Sequence, residues 1–383
     1  MKNEIGIGVV GCGSMGRFLV KLLLEQEPRV KVRALFDPDP HSIAEARAEF
    51  GGGLPADDDY SAFLARPGLD WVMIASWNCF HKEQTLAAFA AGKHVFCQKP
   101  LATRFADCLE MRRAWQASGR QFVIGFTLRF SPHYRQLKAM LDAGAVGKLV
   151  SFEFNETLGF NHGGYIMGDW RRLRRYAGTH LLEKCCHDID LANWFTGSLP
   201  GRVASFGGVN FFTPENAGQI ERLGKSPEGR DAYRAHRREA GENPFTADKD
   251  IVDNQVAIID YLNGVRATFH TNCNAGIPER RMYILGTEGA IRANVLTGDI
   301  ETQRIGFDSK LERVASGIGD GHGGGDTVMA RELAATMFDG TPPTVSLDAG
   351  LASAGACFAI DEAMDTGRVV DVRPYWRQAG LLL

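Results

Sequence analysis

No hydrophobic run in this sequence approaches the roughly 20 residues needed to cross a bilayer, so no membrane span is expected. Charge of one sign is missing too. A formal net charge of -3 gives no electrostatic ground for a nucleic acid or a membrane surface as partner. Cysteine is present but unorganised: eight residues are scattered, and adjacent Cys185-Cys186 has no C-x-x-C companion, so no metal site is expected. The first residues carry no signal-peptide pattern, which makes reduced thiols and a cytoplasmic location the expectation. Internal repeats are absent. What remains is an ordinary globular composition, 44% hydrophobic and 23% charged, in 383 residues, too many for one typical domain.

The first third alternates strand and helix. Ile5 to Val10 is a short apolar run of the kind buried on both faces of a parallel sheet. Gly11-Cys12-Gly13-Ser14-Met15-Gly16 follows, and behind it Phe18, Leu19, Leu22 and Leu23 recur at helical spacing. G-x-G-x-x-G therefore sits between a strand and a helix, where its mechanism needs it. The first glycine permits the tight turn, the second lets a pyrophosphate approach the backbone, and the third lets helix pack on strand. The helix N-terminus then meets the phosphates with unpaired N–H groups. Alone, the motif could mark only a turn. The next strand, "VKVRALFD", ends in Asp37, about the twenty-residue distance at which an acid reads the ribose 2′-OH. No arginine follows it for a 2′-phosphate, so NAD is expected over NADP.

"DWVMIAS" (70–76), "HVFCQ" (94–98) and "QFVIGF" (121–126) supply further strands, with amphipathic helices between them. Such units predict an α/β domain with a doubly wound parallel sheet, whose ligands bind beyond the carboxyl ends of the strands. Ser76, Trp77, Asn78 and His81, with Gln98, Lys99 and Pro100, then lie on the edge that holds the glycine loop. Lys99 either aims into that site or is a solvated loop lysine. Trp77 lines the cofactor or simply packs. The bond before Pro100 is a candidate for cis.

From Lys148 the pattern changes. "GKLVSFEFNET" alternates in the manner of a half-buried antiparallel strand, and "RVASFGGVNFF" (202–212) and "RRMYILGTEGAIRAN" (280–294) are further strand candidates. "NQVAIIDYLNGVRATFHTNC" (254–273) looks like a hairpin turning at Asn263-Gly264. Between them "LLEKCCHDIDLANWFTG" (181–197) is helical, with Glu183 and His187 at i and i+4 on one face. The charged stretch 214–250 has few aliphatics and reads as a surface insertion or lid. "SLDAGLASAGACFAIDEAMDTG" (346–367) reads as one long helix. The domains expected are 1–126, a dinucleotide-binding Rossmann domain; 127–345, an α+β domain; and 346–383, a helix and tail packing back towards the first.

The glycine loop, "AAGKHVFCQKPLA", "GFTLRF" and the acid-x-x-x-His segment before "WFTG" together resemble the Gfo/Idh/MocA oxidoreductases. The resemblance covers nearly the whole chain. It implies an N-terminal Rossmann domain, a second domain with an open, mostly antiparallel sheet, a nicotinamide cofactor and a carbohydrate or cyclitol substrate. It also implies a homo-oligomer, dimer or tetramer, built on that sheet. The family's Glu-Lys-Pro is here Gln98-Lys99-Pro100, and its Asp-x-x-x-His is Glu183-Lys184-Cys185-Cys186-His187. Lys99 and His187 carry over directly. Glu183 keeps the charge on a longer arm, and Gln98 loses it.

On that resemblance Lys99, His187 and Glu183 are the catalytic candidates. A histidine with its ordinary pKa near 6.5 suits the removal of a hydroxyl proton during hydride transfer. Lys99 would stabilise the alkoxide-like charge on the same oxygen. Glu183 would orient the histidine or bond the substrate. The bland alternatives are a buried histidine and an ordinary helix pair. Candidate substrate contacts are Arg129, Trp170, Arg171, Arg172, Lys184 and His322. "DWRRLRRY" (169–176) either selects an anionic sugar or is a solvated loop, and "GHGGGD" (321–326) either brings His322 to the substrate or caps a helix. The lead expectation is an NAD-dependent dehydrogenase of a sugar, sugar derivative or cyclitol. The alternative is a redox-neutral, NAD-dependent glycosidase, on an anionic glycoside if the arginines and lysines select one.

Overall fold

The computed structural model describes residues 3–233, 242–316 and 322–382. The chain opens with β1 (Ile5–Val10), every residue of it buried, and α1 (Ser14–Gln26), which starts directly behind Gly13. Then come β2 (Val30–Phe36), α2 (Pro40–Phe50), α3 (Tyr60–Leu64), β3 (Trp71–Ile74), α4 (His81–Ala90), β4 (His94–Cys97), α5 (Phe105–Ser118) and β5 (Phe122–Ile124). Local chemistry sets these limits. Asp39 caps α2 by accepting from the His41 amide, with Pro40 pre-set for the first turn, and Gly119 closes α5 in the left-handed region at φ 64°. The five strands pair in parallel in the order β2-β1-β3-β4-β5. The order reverses between β1 and β3, the switch point beside which such sheets hold their ligands.

The next elements are α6 (Pro132–Asp142), β6 (Leu149–Gly159), α7 (Phe160–Gly168), α8 (Arg174–Ala177), α9 (Cys186–Thr196), β7 (Pro200–Gly208) and α10 (Gln219–Leu223). The strands β8 (Asn254–Tyr261), β9 (Arg266–Ala275), β10 (Arg281–Gly286), β11 (Gly289–Asn294), β12 (Asp299–Arg304) and β13 (Glu312–Ala315) follow. The chain ends with α11 (Gly325–Asp339), α12 (Leu347–Thr366), β14 (Val370–Asp371) and α13 (Arg373–Gln378). The second sheet has nine strands in the order β13-β12-β11-β10-β6-β9-β8-β7-β14, antiparallel except for the β6–β9 pair. β8 and β9 form the expected hairpin, with Gly264 at φ 85° in the turn. β7 ends earlier than its apolar sequence suggests. Asp253 draws the amides of Asn210, Phe211 and Phe212 to its carboxylate, which turns them away from any ladder.

The chain divides into two compact units, Met1–Ser131 with Gly319–Leu351, and Pro132–Ile318 with Ala352–Leu383. These limits differ from the boundaries expected at 126 and 345. α11 packs on α1, and Ser131 Oγ donates to the Gly323 carbonyl, which places that segment with the first unit. The C-terminal tail, expected with the first domain, joins the second. Val370 pairs with Val203, the Trp376 indole N–H donates to the Pro200 carbonyl, and Ser353 Oγ donates to that of Cys186.

In the stretch 214–250, of which residues 234–241 lie outside the described residues, 214–230 is exposed or half-buried throughout, as a surface insertion is. Tyr233 and Phe245 are buried with Phe212, Ile166 and Met167 in a small aromatic core against α7. α7 admits them because it lacks side chains there: a Cβ on Gly164 would lie 2.0 Å from the Tyr233 carbonyl oxygen. The insertion is thus anchored at Tyr233 and Phe245. Among the described residues, no helix is long and apolar enough to cross a membrane.

Candidate functional site

In the first unit three glycines serve three distinct purposes. Gly11 has φ 83°, and a Cβ there would meet the backbone of Ala75 and Ser76 within 2.6 Å, so only glycine makes this turn. A Cβ on Gly16 would lie 2.1 Å from the Gly11 carbonyl oxygen, so the third glycine lets α1 seat on the loop. Around Gly13 nothing lies within 4 Å of the added carbon. That glycine leaves an open approach to the backbone at the head of α1, where exposed Ser14 and Met15 present first-turn amides. Cys12 departs from expectation. Its amide donates to Asp37 Oδ2 at 2.7 Å, and its thiol is buried and pushed up to about 12 by burial and by Asp37, so its side chain offers nothing to a cofactor. Asp37 also accepts the Asp39 amide at 2.8 Å, so its carboxylate is held beside the loop with lone pairs remaining for hydroxyl donors. The cradle and the acid fit a dinucleotide with a free ribose 2′-OH.

Beyond β3, Ser76 abuts Gly11, its hydroxyl bonded to Gln84 Oε1 at 2.6 Å, and Trp77 is 41% exposed while Asn78 is buried. His81 does not line a cofactor surface. It is fully buried, with Nδ1 2.8 Å from the Pro100 carbonyl and Nε2 3.2 Å from that of Ser76. Burial pulls its pKa down to about 4, and the neutral ring has a single N–H to donate to one of these two carbonyls. The Lys99–Pro100 bond in that turn is cis. Gln98 accepts the Lys99 amide through Oε1 at 3.1 Å, and the same oxygen would lie 2.7 Å from a Cβ on Gly125. Its amide arm thus braces the backbone beneath Lys99, which is half-buried at the carboxyl end of β4. Arg129 is half-buried in the short 3₁₀ turn after β5. His322, ahead of α11, bonds Asp326 Oδ2 in the first turn of that helix at 2.7 Å through Nδ1.

In the second unit a single π-turn, Leu181–Cys185, runs into α9. π-turns of this kind are frequent at functional sites. His187, in the first turn of α9, is buried. Glu183 is held by Arg171, whose Nε lies 3.2 Å from Oε1. The same guanidinium donates to the Tyr165 hydroxyl and to Asp169 at 3.0 Å, and stacks 4.4 Å from the Trp170 ring centroid. Burial pushes the Tyr165 hydroxyl up to about 12, so it stays protonated at neutral pH. Arg171 is therefore a partner of the candidate acid rather than a free anion receptor.

Arg172 and Lys184 are corrected in the same way. Arg172 bonds the Asp248 and Asp169 carbonyls and the Glu242 carboxylate, which secures the segment at 242–250. Lys184 is paired with Glu156 at 3.2 Å.

Four groups close a network that sequence reasoning missed. Arg280 Nε and Nη2 grip the two oxygens of Asp188 at 2.8 and 2.7 Å, while Nη1 reaches Glu156 at 3.2 Å beside Lys184. Burial works against Glu156 ionising, yet Arg280 and Lys184 hold its carboxyl below the usual carboxylate range. The oxygens of Glu156 and Asp188 and the Cys185 sulfur lie within 4.8 Å of one another, the spacing of a metal site. Lys184 and Arg280 already neutralise those carboxylates, reaching Glu156 through Oε1, so the donor set is charge-balanced without a metal. One signal was available: Glu156 stands in the buried phase of β6, with Phe152, Phe154 and Leu158. An acid in that phase demands a buried partner.

Residues 5–126 match the oxidoreductase family with an NAD-binding Rossmann fold, and residues 134–292 match the GFO/IDH/MocA C-terminal domain. The chain belongs to the Gfo/Idh/MocA family. Inositol 2-dehydrogenase of Gluconacetobacter diazotrophicus is 36% identical over 41% of this chain, an alignment that spans 48% of that relative's length. The 2,7-anhydro-N-acetylneuraminate hydratase of Mediterraneibacter gnavus is 26% identical over 76% of this chain and 68% of its own. Levoglucosan dehydrogenase, solved with NADH and levoglucosan, shares the fold at a TM-score of 0.79 and 21% identity, covering 96% of this chain and 99% of that one. The first unit is thus the family's NAD-binding domain, and the sheet of the second is its C-terminal domain.

Proposed function

We propose that this protein is an NAD-dependent dehydrogenase acting on a secondary hydroxyl of a neutral sugar, sugar derivative or cyclitol. The observation that carries the reading is the open backbone at Gly13 beside Asp37, in a chain that keeps the family's lysine and histidine at Lys99 and His187. NAD supplies the hydride acceptor when bound. On the family's pattern, His187 takes the role of accepting the hydroxyl proton, and Lys99 that of a hydrogen-bond donor to developing negative charge. Glu183, locked by Arg171, bonds a neighbouring hydroxyl or fixes the histidine.

The preference for a neutral substrate rests on charge already compensated. Arg171 faces Asp169 and Glu183, Arg172 faces Glu242, Arg174 faces Asp365 and Lys184 faces Glu156. An anionic sugar gains little from cations so engaged. The redox-neutral glycosidase remains the second reading, favoured by the likeness to the anhydroneuraminate hydratase. Incubation with NAD and a panel of cyclitols, sugars, sugar acids and aryl glycosides separates the two. NADH accumulation is expected, and aglycone release without net NADH would favour the glycosidase. Lys99→Ala should lower turnover by about 10²-fold or more, and unchanged turnover would remove Lys99 from the site.

The same reading includes a cytoplasmic homo-oligomer. Phe206, Val256 and Ile258 are 69%, 46% and 58% exposed on one face of β7 and β8, an apolar stripe suited to a second copy of the sheet.

A further inference from the structure

The segment that carries His187 has two faces. Glu183 and His187 are one turn apart, and so are Lys184 and Asp188, each pair displaced from the other by one residue, or roughly 100° around the axis. Lys184 and Asp188 are the ends of the buried charge network. Lys184 bonds Glu156 of β6, and Asp188 is gripped by Arg280, which precedes β10 and itself reaches Glu156. β10 is the neighbour of β6, with Met282 opposite Phe154, so Glu156 stands on β6 and Arg280 directly before the adjacent strand.

We propose that Arg280 is a positioning residue for His187: its fork on Asp188, with Glu156 on Lys184, fixes the rotation of the helix that presents the imidazole. Physical reasons favour this over simple stabilisation. The junction of the π-turn with α9 falls between Lys184 and Asp188, and a π-turn resets the helical phase. The anchor spans that junction. A bidentate guanidinium–carboxylate pair also restricts angle as well as distance, which a point charge does not. A buried pair of charges adds little net stability over apolar side chains of the same volume, so orientation is the more economical account of its presence.

The proposal rests on His187 as the proton acceptor proposed above, and its test separates the two. Arg280→Lys keeps the charge and loses the fork. Arg280→Met with Asp188→Leu removes both charges, in case loss of one alone prevents folding. The first readout is the ring ¹⁵N–¹H signals of His187, assigned by their loss in His187→Gln. These should shift in both variants while those of His41 and His94 do not. The second is kcat with the panel's best substrate, expected to fall ten- to a hundredfold with KM for NAD within twofold. Unmoved His187 signals in both variants, or a kcat loss no larger than the loss of folded protein, would overturn the proposal. If no sugar reduces NAD, the dehydrogenase reading fails, and the ring signals still decide whether Arg280 positions His187.

Discussion

The two units solve the problem of a functional surface in opposite ways. In the first, recognition depends on what has been left out: Gly13 has an empty 4 Å around its missing side chain, and the binding groups there are backbone amides. In the second, the candidate groups are charged, buried and held by partners far away in the chain, as Asp188 is by Arg280 and Lys184 by Glu156. The difference lies in range. A backbone cradle is made by neighbours in sequence and tolerates little change of shape. A buried charge network is made by tertiary contact, and each member is costly once its partner is removed.

The sharpest way to break this contrast is to remove one cation and, separately, each of two glycines. Arg171→Ala leaves Glu183 and Asp169 without their shared partner and should cost about 3 kcal/mol in chemical denaturation. Gly16→Ala forces a carbon to 2.1 Å from the Gly11 carbonyl and should cost about 1–3 kcal/mol. Gly13→Ala should leave stability within about 0.5 kcal/mol while weakening NADH binding, read by fluorescence, at least tenfold. A Gly13→Ala protein that binds NADH normally would remove the cradle from the account.

Acidity comes next in size. Burial lowers His81, His133 and His180 each to about 4, below the value an unfolded histidine shows. The unfolded chain then binds protons first as pH falls. The stability these rings contribute is present above about 6.5 and is lost as pH drops towards 4, by up to about 3 kcal/mol for each. Asp361 works the other way. Burial raises it to about 6, so its contribution is full below its unfolded value of 3.8 and lost as pH rises through 6. Asp361→Asn should therefore raise stability at pH 8 relative to pH 4, and an unchanged pH dependence in thermal melts would count against it.

The smallest effect on the folded chain concerns the sheet face. Ile258→Glu should change monomer stability by no more than about 0.5 kcal/mol, because the side chain is exposed. In light scattering it should shift an oligomer to the monomer mass. A variant that keeps the wild-type mass would place the self-association surface elsewhere.

Much of the first unit was legible because its determinants are local. The apolar run Ile5–Val10, the spacing of Gly11, Gly13 and Gly16 and the acid at Asp37 lie within one βαβ unit. His81 was misplaced for a different reason: nothing in the sequence shows that its ring is sealed between the Ser76 and Pro100 carbonyls. In the second unit the helix around His187 was legible from its period, but the partners of its charges were not. Lys184 and Arg172 looked available for a substrate, and the acids that occupy them, Glu156 and Glu242, stand 28 and 70 residues away. The 214–250 stretch looked solvated because its charges outnumber its aliphatics. Tyr233 and Phe245 nonetheless enter a core with Ile166 and Met167 of α7, while 214–230 stays at the surface.

By itself, then, the sequence determined the parallel NAD-binding sheet and the glycine cradle, since each follows from residue type, period and short spacing, and its resemblance to the family singled out Lys99 and His187 as candidates. Tertiary structure decided which charges are free and which are taken, where the C-terminal tail belongs, and how the helix bearing His187 is held. Those depend on contacts between residues distant in the chain, and an ion pair leaves no mark on the spacing of either partner.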